Sequence, residues 1–557
     1  MTSRVRRGWR GQLIAARMAV SGLLLASLAV CAEGKNLAHN SLPSDIESGE
    51  RIYRTGVLAN GAPLTGSREG SVRVSGAAAA CINCHRASGL GGAEGNQLIP
   101  PVAGSVLRAP GQPWFERTGR AASGLSRTVP AAHTRAAHTR ESFAQAMVSG
   151  RHASGEGMNY LMPRYELDAA SLNQLLAYLD TLPVGQAPGV DRHALHLATI
   201  VTADAPASQR DATLAIMSSC IAERSPRPSA NAASPRPWQH HVWQLGTDPA
   251  RWPQELAQHQ QRQPVFAVVS GVSGGSWTPI HKFCEREKMP CVLPNTAAVD
   301  EALASHWSFY FSRGVSLEAA ALAQRLADAT PPGGWRRIIQ RTDNSESAAL
   351  AASALQRHLR AIGNTAEVQH QDDPQVNSAL TASMTEQDAL VLWLNPSALK
   401  AFTATTVPPR AGRVIVSGEM GGLDDAPVAM PWRERVWMTY PYEAAARRDP
   451  RIAINTTDWM GRQNLTLYPA LSRLQGNTYS ACEVVVRALQ TMRGHYSREY
   501  FLELVEAADE AAIATAYPRF TLGPNQRYGS SGAFIMQYAA PGLTRLVAIG
   551  DWVVPSR

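Results

Sequence analysis

Residues Cys81-Ile82-Asn83-Cys84-His85 have the types and the spacing that attach a haem covalently. In such a C-x-x-C-H pattern the two thiols add to the haem vinyl groups, and the adjacent histidine supplies the proximal iron ligand. A zinc site would need four ligands, and no second Cys or His pair follows at a finger-like spacing. A thioredoxin-like redox pair would not need the histidine. The sequence therefore predicts one covalent haem c, held by Cys81, Cys84 and His85.

The N-terminal segment predicts export. An arginine-rich stretch precedes an apolar run from Met18 to Val30, which is too short for a stable membrane span. Small residues near Cys31 predict cleavage, so we expect residues 1–32 to form a signal peptide and the mature chain to have no transmembrane span. Lipidation of Cys31 is the second choice, because Val30 is bulky for that signal. Because bacteria attach covalent haem outside the cytoplasm, a periplasmic location is predicted.

The charge balance gives no case for nucleic acid as a partner. The formal net charge of the 557-residue chain is +8, but five of its 53 basic residues lie in the predicted signal peptide. The mature chain then has 48 basic and 45 acidic residues.

Four cysteines remain after the signal peptide and the haem site are set aside, an even number in an oxidising compartment. Cys284 ends a predicted helix and Cys291 opens the next predicted strand. A helix packed on its own sheet brings such Cα atoms to about 6 Å, the usual separation in a disulfide. We therefore expect a Cys284–Cys291 disulfide, whereas the pairing of Cys220 with Cys482 stays open.

Residues 44–183 resemble class I cytochromes c. A short helix is predicted at 46–55, a glycine-rich loop follows the haem motif, and Pro100-Pro101 comes next. The resemblance implies an all-α domain in which a proline carbonyl accepts a hydrogen bond from the proximal histidine. Either Pro100 or Pro101 fits that role.

The sixth iron ligand is expected at Met162, in Met162-Pro163, just before a leucine-rich helix with Asp168 as its N-cap. Met158 is the rival, and His133, His138 and His152 are weaker rivals. A His/Met pair leaves no open iron site, so the domain is expected to carry single electrons.

The rest of the chain predicts a two-lobed α/β domain. A proline- and glycine-rich linker is expected at 184–191, and strands alternate with helices over 192–557. Such alternation indicates parallel sheets, and the length fits two lobes.

This α/β part resembles type I periplasmic binding proteins of the branched-chain amino-acid group. The resemblance lies in the order of strand 264–271, the serine-rich loop 273–277 and the segment 283–296, with a crossover at 309–317 and closing elements at 478–489 and 523–538. It implies a ligand in the cleft between two lobes.

Carried over by position, the resemblance implies ligand-binding roles for five residues. Ser276, Asn295 and Thr296 would hold a carboxylate, Trp393 would cover the ligand, and Glu419 would bind an ammonium group. The sequence Ala203-Asp204-Ala205 replaces the family's glycine-rich turn, which argues against an ordinary amino acid as ligand.

No nucleotide-binding, hydrolase or metalloprotease motif is found, so we expect no enzymatic activity from the chain alone. The predicted function is a periplasmic c-type cytochrome with a redox partner protein, coupled to a domain that binds a small polar organic ligand or docks a partner. The alternatives are a haem subunit of a periplasmic dehydrogenase and a solute receptor for a transporter.

Overall fold

The computed structural model describes residues 44–555, except 69–71, 95–96, 111–135, 185–186, 229–234, 372–377, 445–446, 449, 493 and 509–514. The predicted signal peptide, Cys31 and His133 lie outside the described residues. From Ser44 onward the chain forms one compact unit. Among the described residues, no helix has the length and apolar character needed to cross a membrane.

The haem-motif region is framed by its first and last helices. Its helices are α1 (Asp45–Thr55), α2 (Ile82–His85), α3 (Gly104–Leu107), α4 (Arg140–Ser149) and α5 (Ala169–Thr181), with a 3₁₀ turn at Gly76–Ala79. Ser44 and Glu47 cap α1 reciprocally, and Gly56 ends it with a left-handed backbone. α1 packs so closely on α5 that a Cβ at Gly49 would lie 1.9 Å from the Gln174 carbonyl oxygen.

Five short strands lie between these helices, so the prediction of an all-α domain is wrong. They are β1 (Thr65–Arg68), β2 (Val72–Ser75), β3 (Gly92–Glu94), β4 (Gln97–Ile99) and β5 (Arg164–Tyr165). β1 lies between β2 and β5 in an antiparallel sheet, and β3 pairs with β4. The alternation of valine with polar residues in β2 favours the β1–β2 hairpin. On the other side of β1, Gly66 leaves room for Arg164 and Tyr165 of β5.

The α/β part contains thirteen described strands and eleven described helices. The strands are β6 (Leu195–Thr202), β7 (Trp238–Leu245), β8 (Ala267–Val272), β9 (Cys291–Val292), β10 (Ser308–Ser312), β11 (Arg337–Thr342), β12 (Glu367–Gln371), β13 (Asp388–Trp393), β14 (Arg413–Ser417), β15 (Val436–Tyr440), β16 (Tyr528–Ser530), β17 (Phe534–Tyr538) and β18 (Leu546–Ala548). The helices are α6 (Ala207–Arg224), α7 (Trp252–Arg262), α8 (Thr278–Arg286), α9 (Val315–Asp328), α10 (Glu346–Ala361), α11 (Ser378–Ala382), α12 (Pro396–Thr405), α13 (Gly418–Gly421), α14 (Pro450–Arg462), α15 (Ser472–Met492) and α16 (Arg498–Glu506). Further 3₁₀ turns lie at Leu423–Asp425, Met430–Arg435 and Pro469–Leu471.

These strands form two sheets. The first has the order β16-β10-β9-β8-β6-β7 and is parallel throughout. The second has the order β12-β11-β13-β14-β15-β17-β18, with β11–β15 parallel and β17 and β18 antiparallel. Helices cover both sheets, and so every residue of β6, β8, β10 and β13 is buried.

The chain passes between the two sheets three times, after β10, after β15 and between β16 and β17. The α/β part is therefore two-lobed, as predicted. In such parallel sheets ligands bind beyond the carboxyl ends of the strands. The loops after β8, β9, β14 and β15 therefore border the expected ligand site.

Candidate functional site

The haem motif lies on a single helical turn. Cys81 immediately precedes α2 and His85 ends it, and neither Cys81 nor Cys84 forms a disulfide. His85 is buried, and its Nδ1 lies 2.9 Å from the carbonyl oxygen of Pro100. A carbonyl can only accept a hydrogen bond, so Nδ1 carries the proton and Nε2 presents its lone pair.

This arrangement fits the predicted haem. Burial lowers the pKa of His85, which favours the neutral imidazole that binds iron. Pro100, rather than Pro101, provides the carbonyl that orients the ring. Burial also raises the pKa of the Cys81 thiol to about 12, so it is a thiol and not a thiolate in this fold. No group of three or more His, Cys, Asp or Glu side chains suited to a metal ion is found among the described residues.

The structure places both candidate methionines near the apolar core of this region. Met158 and Met162 are each partly buried against the same cluster of apolar side chains. His152 contacts Ser154, and His138 contacts Ser142. The choice of Met162 over Met158 stays a prediction from the Met-Pro sequence.

The loop after the haem motif is bonded to the α/β part. Both the amide and the hydroxyl of Ser88 donate to the Glu503 carboxylate, at 2.8 and 2.6 Å. Both side chains are buried, and burial raises the pKa of Glu503 to about 7. On the same helix, α16, Arg498 donates to the carbonyls of Val265 and Phe266, just before β8. The haem segment is thereby tied to the first sheet.

Two of the predicted cleft residues, Ser276 and Asn295, follow strands of the first sheet. The amide of Ser276 donates to Glu346 Oε2, which belongs to the second lobe, at 3.2 Å. The Asn295 side chain donates to Thr478 Oγ1, on α15, at 2.9 Å. Thr296 accepts from the amide of Ala298 and so shapes its own loop. Ser276 thus contacts the second lobe, whereas Asn295 contacts helix α15.

Glu419 lies at the carboxyl end of β14 and contacts two other side chains. The Tyr442 hydroxyl donates to Glu419 Oε2 at 2.8 Å, and Arg473 Nη1 lies 3.6 Å from the same oxygen. Tyr442 also shares a hydrogen bond with the hydroxyl of Tyr517. Because Arg473 begins α15 and Thr478 lies on the same helix, one helix contacts both Glu419 and Asn295.

A buried acid lies beneath Glu419. Glu318, on α9, accepts from the Glu419 amide at 3.0 Å and from the Ser417 hydroxyl. Its side chain is fully buried, and this burial raises its pKa to about 8. Glu318 therefore holds the turn that presents Glu419.

Trp393 does not have the predicted role. It is fully buried within the second lobe, and its indole N–H donates to Gln340 Oε1 at 2.8 Å. A side chain so enclosed cannot cover a ligand in the crevice. It is the last residue of β13, and it points into the core and not beyond the strand end.

Three further crevice residues were missed from the sequence, namely Arg473, Tyr442 and Glu346. Tyr442 comes two residues after an apolar strand, a position where a polar side chain is a usable signal. Arg473 and Glu346 lie in the first turns of helices, and nothing in the local sequence sets them apart.

Two disulfides lie in the α/β part. Cys284 bonds to Cys291, with Cα atoms 6.3 Å apart, as the helix–strand order predicts. Cys220 bonds to Cys482 and joins α6 to α15, with Cα atoms 6.6 Å apart. All four side chains are buried.

The chain was compared with known proteins. No family model matches it, and no curated protein does. It is similar to solved structures, among them a branched-chain amino acid ABC transporter protein from Thermus thermophilus with bound valine, at 12% identity, TM-score 0.49, and 66% and 97% coverage of this chain and that one. A fatty acid ABC transporter substrate-binding protein from Thermomonospora curvata has 14% identity, TM-score 0.47, and 67% and 95% coverage. Because both TM-scores are below 0.5, the two-lobed fold is inferred from the strand order of the two sheets and the three passages of the chain between them.

Proposed function

We propose that this chain is a periplasmic c-type cytochrome whose two-lobed α/β part binds a small polar organic molecule. The observation that carries the haem assignment is the contact of His85 Nδ1 with the Pro100 carbonyl, next to two cysteines on one turn that form no disulfide. Cys81 and Cys84 would hold the haem, and His85 would bind its iron. When bound, the haem supplies reversible one-electron chemistry.

The protein's own residues set the conditions for that chemistry. The Pro100 carbonyl orients the imidazole and increases its basicity as a ligand. The apolar side chains of Ile52, Leu90 and Leu179, all buried, exclude water from this region. A dry surrounding and a fixed ligand suit electron transfer to and from a partner protein better than bond chemistry.

The sixth ligand is proposed to be Met162. Substitution Met162→Ala should abolish the sulfur-to-iron charge-transfer band of the ferric protein and lower its reduction potential. Met158→Ala is the matched control and should leave both unchanged. The reverse result would assign the ligand to Met158.

The crevice supports the binding role of the α/β part. Two contacts join the lobes there: the Ser276 amide donates to the Glu346 carboxylate, and Arg473 lies beside the Glu419 carboxylate. In two-lobed α/β proteins this is where a ligand contacts both lobes at once, so binding favours closure.

A thermal-melting screen of the purified mature protein tests this role. The compounds should include neutral, cationic and anionic small polar molecules. A ligand at 100 times its dissociation constant should stabilise the protein by about 2.7 kcal/mol. If none of the compounds shifts the melting temperature while a periplasmic dehydrogenase reduces the haem directly, the α/β part is a docking scaffold and the binding proposal is wrong.

The second candidate is a solute receptor for a transporter, because the similar protein from Thermomonospora curvata is a transporter's substrate-binding protein. A solute receptor differs from the proposed cytochrome in its partner, which would be a membrane transporter and not a redox protein. A receptor would stimulate uptake of its ligand in cells, and this stimulation would not depend on His85.

A further inference from the structure

Arg473, in the first turn of α15, has hydrogen-bonding capacity that its contacts leave unused. Its guanidinium lies over the Tyr442 ring, 4.6 Å from the centroid. Its Nη1 has no hydrogen-bond partner among the described residues, because Glu419 Oε2, at 3.6 Å, is too distant. The side chain as a whole is 38% exposed, so solvent reaches its other atoms, whereas Nη1 itself is buried.

Glu419 is in the opposite situation. Its side chain is only 11% exposed and accepts a hydrogen bond from Tyr442. Burial raises the pKa of Tyr442 well above its usual value, so this hydroxyl remains a donor at all physiological pH values. A carboxylate with a hydroxyl donor and a cation beside it has little need of an ammonium group from a ligand.

Arg473 also bridges the lobes. It belongs to α15, which packs on the first lobe and is bonded to it through Cys482, whereas Glu419 and Tyr442 follow strands of the second sheet. An anion bound by Arg473 would therefore lie where both lobes can contact it. The guanidinium fork matches a planar carboxylate and can bind it with two parallel hydrogen bonds.

We infer that Arg473 binds the carboxylate of the ligand, and that the ligand is a small organic acid without an ammonium group. This inference rests on the proposed binding function of the crevice and names its substrate class. It assigns Glu419 a positioning role, since its contact with Tyr442 and Arg473 holds the guanidinium in place. The ligand would thus differ from an amino acid by the missing ammonium group.

The test is calorimetric titration of the mature full-length chain with two sets of matched compounds. One set is pentanoate, pentanamide and L-norvaline, and the other is succinate, succinamide and L-aspartate. Within each set the second compound has amides in place of every carboxylate, and the third gains an α-ammonium group. At least one acid should bind about tenfold or more tightly than both of its relatives, as expected when a bidentate carboxylate contact decides affinity.

Two arginine variants sharpen the result. Arg473→Lys keeps the charge beside Glu419 but loses the fork, and should weaken binding of the acid about tenfold. Arg286→Lys is the matched control, because Arg286 also lies over an aromatic ring, that of Phe283, and pairs with Glu287, but is 57% exposed on α8. It should bind the acid as the wild type does.

The outcomes separate the inference from the proposed function. If L-norvaline or L-aspartate binds as tightly as its acid, or if Arg473→Lys binds the acid unchanged, the inference is wrong. If neither acid binds while the melting screen identifies a neutral or cationic ligand, the inference is wrong and the crevice function stands. If neither titration nor screen detects any ligand, the crevice function itself is rejected.

Discussion

The haem-motif region and the α/β part use their cysteines in different ways. In the first, Cys81 and Cys84 lie on one helical turn and are not bonded to each other or to another cysteine. In the second, Cys220 and Cys482 join segments 262 residues apart, and Cys284 and Cys291 join a helix to the next strand. The first pair is proposed to attach the haem, whereas the other two pairs cross-link the fold.

The same contrast holds for the two candidate sites. The proposed haem site takes Cys81, Cys84 and His85 from five consecutive residues and adds one distant carbonyl, that of Pro100. The crevice is assembled from residues of both lobes that are far apart in the chain, such as Ser276 with Glu346 and Glu419 with Arg473. A site of the first kind survives local changes elsewhere, whereas a site of the second kind depends on the packing of both lobes.

The largest expected effect separates the cysteine pairs by function. The double substitution Cys81→Ser and Cys84→Ser should abolish covalent haem, because both thioethers are lost. The matched control, Cys284→Ser with Cys291→Ser, should retain it. Haem staining of denatured protein after electrophoresis measures both. A pigment that remained on the first variant would contradict the comparison.

The two disulfides should differ in their contribution to stability. A cross-link that closes a long loop restricts the unfolded chain more, so removing Cys220–Cys482 should cost about 4–5 kcal/mol and removing Cys284–Cys291 about 2 kcal/mol. Denaturant unfolding of the two Cys→Ala double variants gives these values. Equal losses would show that loop length does not govern stability here.

The contact between the two regions should contribute a smaller amount. Ser88→Ala removes the hydroxyl donor to Glu503 and leaves the amide donor, so the free energy of unfolding should fall by about 1–3 kcal/mol. Ser105→Ala, at an exposed serine of the same region, is the control and should change it by less than about 0.5 kcal/mol. A neutral Ser88→Ala would mean that the regions do not depend on this contact.

The last effect depends on pH and concerns the buried acid beneath Glu419. The folded-state pKa of Glu318 is about 8, above its ordinary value of 4.5. Because the unfolded state releases this proton first, Glu318 destabilises the fold as pH rises from about 4.5 to 8, by at most about 1.4 kcal/mol per pH unit.

Glu318→Gln keeps the acceptor for the Glu419 amide and should remove this slope, so wild type and variant should diverge most near pH 8. Stability curves at several pH values test it, with Glu434→Gln, an exposed position, as the control for loss of one carboxylate. Parallel curves for wild type and Glu318→Gln would contradict the raised pKa of Glu318.

Much of the fold follows from local patterns in the sequence. The apolar run at 413–417 predicts the strand Arg413–Ser417 with its observed bounds. The patterns at 347–362 and 389–394 predict α10 and β13 to within a residue at each end, because apolar runs and caps are local signals. The short sheet of β1, β2 and β5 was missed, since it depends on pairing with a strand near residue 165. Arg473 was missed for the same reason, because its role comes from Glu419 and Tyr442, which no local pattern connects to it.

The proposed covalent haem would lie on the turn from Cys81 to His85. The most direct measurement is the intact mass, in denaturant, of the mature protein made in a host with the haem-maturation machinery. We expect the mass of the polypeptide plus one haem. A mass equal to that of the polypeptide alone would contradict the claim.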